Sequence, residues 1–134
     1  MGDKDANSLF VSRLYRRWRM QTYKWETIAV EQLAHNIKRR MIVGTKEMLV
    51  RWEFSKGALA AQHNHPHEQI VVMVEGKLRL TVGDTEKILG RDDIVVIPPN
   101  TPHEALALED TVVIDIFSPP REDFLTGNRP LYLQ

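Results

Sequence analysis

The stretch GALAAQHNHPHEQIVVMVEG, residues 57–76, holds a polar, histidine-rich half and an apolar half that ends on a glycine. Gln69 to Glu75 is almost entirely apolar, as expected of a strand covered on both faces, and Glu75-Gly76 reads as a turn. In an extended chain His63 and His65 point to the same side and can reach one ion. Gln69 shares their parity and can offer its amide oxygen. His67 shares it too, but Pro66 interrupts the alternation, so His67 is expected beside such a site and not in it.

Downstream, Lys77 to Val82 alternates, with Leu78, Leu80 and Val82 facing inward. Gly83-Asp84 turns the chain into Thr85 to Leu89, and Gly90-Arg91-Asp92-Asp93 turns it into Ile94 to Ile97. Pro98-Pro99-Asn100-Thr101-Pro102 is a rigid turn, because proline cannot join a central ladder. His103 to Leu108 and Thr111 to Phe117 complete the strands on this side. Upstream, Ile37 to Val43 and Glu47 to Phe54 flank Gly44-Thr45-Lys46 as a hairpin, with Met48, Val50, Trp52 and Phe54 on one face. Many short strands, frequent turns and almost no helical period predict an all-β sandwich or small barrel.

His103 would have to join the first cluster from a different part of the chain, which is how a metal site gains depth; the alternative is that these histidines are ordinary satisfied polar residues of strands. Three imidazoles and one neutral oxygen suit a single divalent transition ion (Mn, Fe, Ni, Cu or Zn) with positions left open for substrate. His35, beside Asn36, is expected in a turn.

Composition narrows the rest. The chain has 134 residues, enough for one domain with its own core. Eighteen basic residues balance 18 acidic ones, which argues against a nucleic-acid binder driven by overall charge. With no cysteine, disulfides and thiolate chemistry are excluded. No apolar run is long enough for a membrane span and no signal-peptide core is evident, so a cytoplasmic location is expected. Met1 to Ser8 reads as disordered. Leu9 to Trp25 is basic and aromatic and is expected to lie across a neighbouring sheet or subunit, with 1–26 as an N-terminal extension. Residues 27–118 form the barrel, and 119–134 a tail that closes the barrel or a dimer. Residues 1–67 carry 12 Lys/Arg against 6 Asp/Glu and the remainder the reverse, a balance that suits one intermixed fold or a self-complementary homodimer.

Two motifs make the reading specific. Gly57, His63-Asn64-His65, Gln69 and Gly76, at these spacings, resemble the first motif of the cupin superfamily, in which glutamate usually stands where this chain has Gln69. Residues 90–103 resemble the second motif, with Asn100 in place of a glycine; both tolerate the left-handed turn conformation. The resemblance spans about residues 37–117. It implies a double-stranded β-helix, or jelly-roll, barrel with a metal held by His63, His65, Gln69 and His103 at its mouth.

The run His65-Pro66-His67-Glu68-Gln69 and the segment Asp115 to Phe124 resemble the KdgF-type cupins of pectin and alginate breakdown, which open the ring of 4,5-unsaturated monouronates. By that resemblance Asp115, Phe117 and Arg121 line the pocket: Asp115 moves a proton, Phe117 packs on the sugar and Arg121 holds a carboxylate. The substrate is then a small, carboxylate-bearing molecule, with neither nucleic acid nor membrane as partner. The neutral Gln69 leaves the ion a stronger Lewis acid and favours proton transfer over oxygen activation. Two alternatives stay open: another metal cupin enzyme, either a dioxygenase or a polyketide cyclase, and a non-catalytic cupin that binds a small ligand. A narrow pocket with Asp115 facing solvent would favour the last.

Overall fold

The computed structural model describes residues 19–127 and 130–133. The disordered start expected over Met1 to Ser8, and the basic aromatic arm as far as residue 18, lie outside the described residues. A 3-10 turn at Trp25–Thr27 leads into ten strands: β1 (Glu31–Ala34), β2 (Ile37–Val43), β3 (Met48–Phe54), β4 (Leu59–His63), β5 (Glu68–Glu75), β6 (Leu78–Val82), β7 (Thr85–Leu89), β8 (Ile94–Ile97), β9 (His103–Ala107) and β10 (Thr111–Ser118). One short helix, α1 (Glu122–Leu125), follows.

The strands form two antiparallel sheets, a six-stranded one in the order β1-β2-β3-β10-β5-β8 and a four-stranded one in the order β4-β9-β6-β7. This is the jelly-roll architecture, in which two inner faces share one core. Alternation decides what enters it. On β3, Met48, Val50, Trp52 and Phe54 are buried while Leu49, Arg51 and Glu53 between them are half-exposed. Leu78 and Leu80 of β6 meet them from the smaller sheet as part of the same core cluster.

Two expectations need correcting. β5 is covered on one face only: Gln69, Val71 and Met73 are buried, but Val74 is exposed, as are Ile94 and Val96 on the neighbouring β8. An all-apolar run does not by itself say whether its second face is covered, since period 2 is silent there. The strand carrying His63 also stops at that residue, so His65 lies in the connection to β5. Proline at position 66 keeps the preceding residue extended, so His65 still turns inward without belonging to a ladder.

Gly76 closes the β5–β6 turn at φ 90° with the chain packed tightly against it. A Cβ there would sit 2.3 Å from the Asp110 carbonyl oxygen and 2.6 Å from Thr111 Oγ1. Gly57 has φ 89°, yet a Cβ there meets nothing within 4 Å. Gly76→Ala is therefore expected to cost on the order of 3 kcal/mol of folding stability, and Gly57→Ala about 1 kcal/mol of backbone strain. Chemical denaturation of both variants checks this, and equal losses would contradict it.

Candidate metal centre and pocket

Antiparallel pairing of β4 with β9 sets His63 directly opposite His103. His65 comes in from the connection to β5, where its carbonyl accepts the Asn100 N–H at 2.8 Å. Asn100 makes that contact from the left-handed conformation, φ 59°. The two histidine-bearing segments are thus tied together by backbone as well as by register. One ligating atom from each of His63, His65 and His103 lies within 4.8 Å of the others. The His63 and His103 rings approach to 4.2 Å between centroids, and those of His65 and His103 to 4.9 Å.

Each imidazole is oriented by its own loop. Nδ1 of His63 donates to the Ala61 carbonyl at 2.7 Å, Nδ1 of His103 to Thr101 at 2.8 Å, and Nδ1 of His65 to His67 at 3.1 Å. With the proton on Nδ1, each ring keeps an Nε2 lone pair free. Burial pushes His63 down to about 3 and His65 down to about 4, with neighbouring histidines and Arg121 adding to the effect; burial also lowers His103. All three are neutral at physiological pH, the form that ligates metals.

Two details show that these residues fit a metal ion. His103 Nε2 is buried without a hydrogen-bond partner. Gln69 Oε1 lies 3.1 Å from His65 Nε2, so two acceptors face each other once His65 carries its proton on Nδ1. A cation placed among the four would satisfy both.

The larger sheet supplies the rest of the pocket. Asp115 and Phe117 share the inner face of β10, where Phe117 pairs with Gln69 across the ladder. Asp115 stands in mid-strand and is buried. Burial pushes its carboxyl up to about 7, an effect that Gln69, Trp52 and Arg121 oppose. Its Oδ1 and the Trp52 Nε1 are both buried without a hydrogen-bond partner.

Arg121 is buried at 3% exposure and pairs with the half-exposed Asp123. It donates from Nε and Nη2 to the two Asp123 oxygens at 2.8 and 2.6 Å, and from Nη2 to Tyr132 at 3.1 Å. Burial works against its charge, but Asp123 and Tyr132 outweigh that and raise its pKa. His63, Gln69, His103, Asp115, Phe117 and Arg121 all line one cavity of about 50 Å³. That is narrow. Asp115, however, does not face solvent, so only half of the pattern expected for a non-catalytic binder is met.

His67 lies beside the cluster, buried, with Nε2 3.1 Å from Glu122. His35 is exposed in the β1–β2 turn. Three contributors went unread in the sequence as parts of the site. Tyr132 stacks on the His63 ring at 3.6 Å and 5°, its backbone carbonyl accepting the Ala61 N–H at 2.7 Å. Phe124 packs edge-on against Phe117 at 5.6 Å. Trp52 also lines the cavity; its inward parity on β3 was the one signal that could have placed it. Among the described residues no helix is long and apolar enough to cross a membrane.

Comparison with known proteins agrees with this architecture. The cupin domain family matches residues 50–117. The pectin degradation protein KdgF of Dickeya dadantii is 36% identical over 98 residues, covering 71% of this chain and 89% of that protein. The structure of an RmlC-like cupin from Shewanella frigidimarina superposes with a TM-score of 0.75 at 33% identity, covering 79% of this chain and 96% of that one. KdgF from Halomonas sp. superposes with a TM-score of 0.75 at 30% identity, covering 79% and 99%. The chain belongs to the cupin family and, within it, resembles the KdgF proteins.

Proposed function

We propose that this protein is a metal-dependent cupin enzyme that opens and ketonises the ring of 4,5-unsaturated uronate monosaccharides. The observation that carries the reading is the placement of a buried carboxyl, Asp115, and a buried guanidinium, Arg121, around one cavity with His63 and His103, two of the three converging histidines. Likeness to two KdgF proteins, one of them named for pectin degradation, supplies the substrate class.

His63, His65 and His103 would hold the ion through Nε2, with the Gln69 amide oxygen as fourth donor. Such an ion supplies Lewis acidity to negative charge developing on a substrate oxygen. The chain's own residues do the rest. Arg121 receives the uronate carboxylate, which competes with Asp123 for the same fork of donors. Phe117, with the Arg121 guanidinium 5.2 Å from its ring, offers an apolar wall to the sugar face. Asp115 takes the proton of the anomeric hydroxyl as the C1–O5 bond breaks and C1 becomes an aldehyde. A proton returned to C4 turns the C4–C5 enol into a ketone at C5. No redox partner is consumed, and product and substrate are isomers. A carboxyl whose burial holds it near neutrality is suited to both transfers.

Metal uptake is expected to need all three histidines. His63→Ala, His65→Ala and His103→Ala should each bind well under one ion per chain after incubation with zinc or nickel and gel filtration. His67→Ala and His35→Ala should load like the parent. Elemental analysis reads this, and a His67→Ala protein that loses its metal would displace the ligand set.

Turnover on unsaturated galacturonate and mannuronate, followed by proton NMR of the product, tests the reaction. Asp115→Asn is nearly isosteric but cannot carry a proton, so it should lower kcat by on the order of 10² to 10⁴ with metal content unchanged. A kcat within a few-fold of the parent would remove Asp115 from the chemistry. Arg121→Lys keeps the charge but loses the two-pronged geometry, and should chiefly raise KM. If it harms an alcohol analogue as much as the carboxylate, Arg121 is not the carboxylate clamp.

A further inference from the structure

Arg39 of β2 is the most deeply buried cation among the described residues. It is 1% exposed and turned inward beside its ladder partner Trp52. Its Nη2 donates to Glu31 Oε2 at 3.1 Å and to the Phe124 carbonyl at 3.4 Å, while Nε and Nη1 are buried with no partner. A guanidinium that leaves two donors unsatisfied costs more to bury than an apolar side chain of similar volume. If this position only filled space, methionine would fill it better.

The geometry around Phe124 supplies a reason for the charge. The Arg39 guanidinium lies 4.6 Å from the Phe124 ring centroid, and that of Arg121 lies 4.1 Å from it. Phe124 thus has a guanidinium from the sheet and one from the pocket on the same ring, and it meets Trp52 edge-on at 5.8 Å. Its backbone is tied to Arg121 as well, the Phe124 N–H donating to the Arg121 carbonyl at 3.0 Å. Anything that displaces Phe124 therefore displaces Arg121. Phe124 and Arg121 both line the narrow cavity of about 50 Å³, so their placement sets part of its shape.

We propose that Arg39 is a positioning residue: it grips Phe124 by ring and carbonyl and so seats α1 and Arg121 over the histidine cluster. Planarity and charge are both used, the first for the stack on Phe124 and the second for the carbonyl and for Glu31. The consequence for kinetics rests on the uronate reading above; the consequence for the seating of α1 does not.

The test uses the full-length, metal-loaded protein with Arg39→Met, Arg39→Lys and Phe124→Leu. Hydrogen exchange followed by mass spectrometry should show peptides covering residues 119–127 exchanging on the order of tenfold faster in Arg39→Met, with β10 unchanged and Arg39→Lys intermediate. Phe124→Leu, which keeps apolar volume but removes the ring, should loosen the same segment and carries this measurement if Arg39→Met does not fold. On unsaturated galacturonate, Arg39→Met should raise KM on the order of tenfold with a much smaller change in kcat. Adding Arg39→Met to Arg121→Lys should then do little more harm, because one acts through the other. Unchanged exchange at residues 119–127 in both Arg39→Met and Phe124→Leu would overturn the proposal. So would KM effects of Arg39→Met and Arg121→Lys that simply multiply. Absence of turnover in the parent would sink the uronate reading alone, and the exchange result would still decide what Arg39 does.

Discussion

Register between β4 and β9 is the constraint on which the site depends. His63 and His103 face each other only because these strands pair as they do, and a slip of one residue would turn one ring to the opposite face. That register is guarded from several sides. Leu59 and Ala60 pair with Leu106 and Ala105, an irregularity between Ala60 and His63 shifts the register by one residue to set His63 opposite His103, and Val82 of β6 pairs with His103 from its other edge. The Asn100-to-His65 bond then ties the two loops at the barrel mouth. Burial of the alternate side chains in the shared core is what makes any other register costly.

Local carbonyls then convert placement into chemistry. Ala61, Thr101 and His67 each accept an Nδ1–H hydrogen bond, which aims three Nε2 lone pairs inward, while burial keeps the three rings neutral. The cavity that His63 and His103 share with the larger sheet also leaves polar groups without partners. Asp115 Oδ1, Trp52 Nε1 and His103 Nε2 are all buried without partners. Each such atom is destabilising on its own, and together around one cavity they mark where a ligand would recover the cost.

Much of this was legible in the chain. Period-2 alternation and glycine-marked turns define most strands to within a residue. The shared parity of His63, His65 and Gln69 points to one site, although His65 reaches it from a connection and Gln69 from the next strand. Asp115, Phe117 and Arg121 needed the family resemblance, because nothing in their local pattern separates a pocket residue from an ordinary strand end or surface ion pair. What stayed hidden is long-range. Arg39 reads locally as one of three consecutive basic residues on a solvated strand, and only packing of the tail 85 positions later buries it against Phe124. Tyr132 sits in a polar tail and gains its place by stacking on His63. The exposed outer face of β5 is a further case, since an all-apolar run carries no information on its second neighbour.

The central claim joins two parts, a metal held by the histidines and an enol proton transfer beside it. One measurement reaches both. The conjugated C4–C5 double bond of an unsaturated uronate absorbs ultraviolet light, and ketonisation abolishes that absorbance. With metal-loaded protein the signal should decay at a rate proportional to enzyme concentration. It should fall to the buffer rate when a chelator strips the ion, and recover when the ion is restored. A decay no faster than in buffer, or one that chelation leaves untouched, would contradict the account.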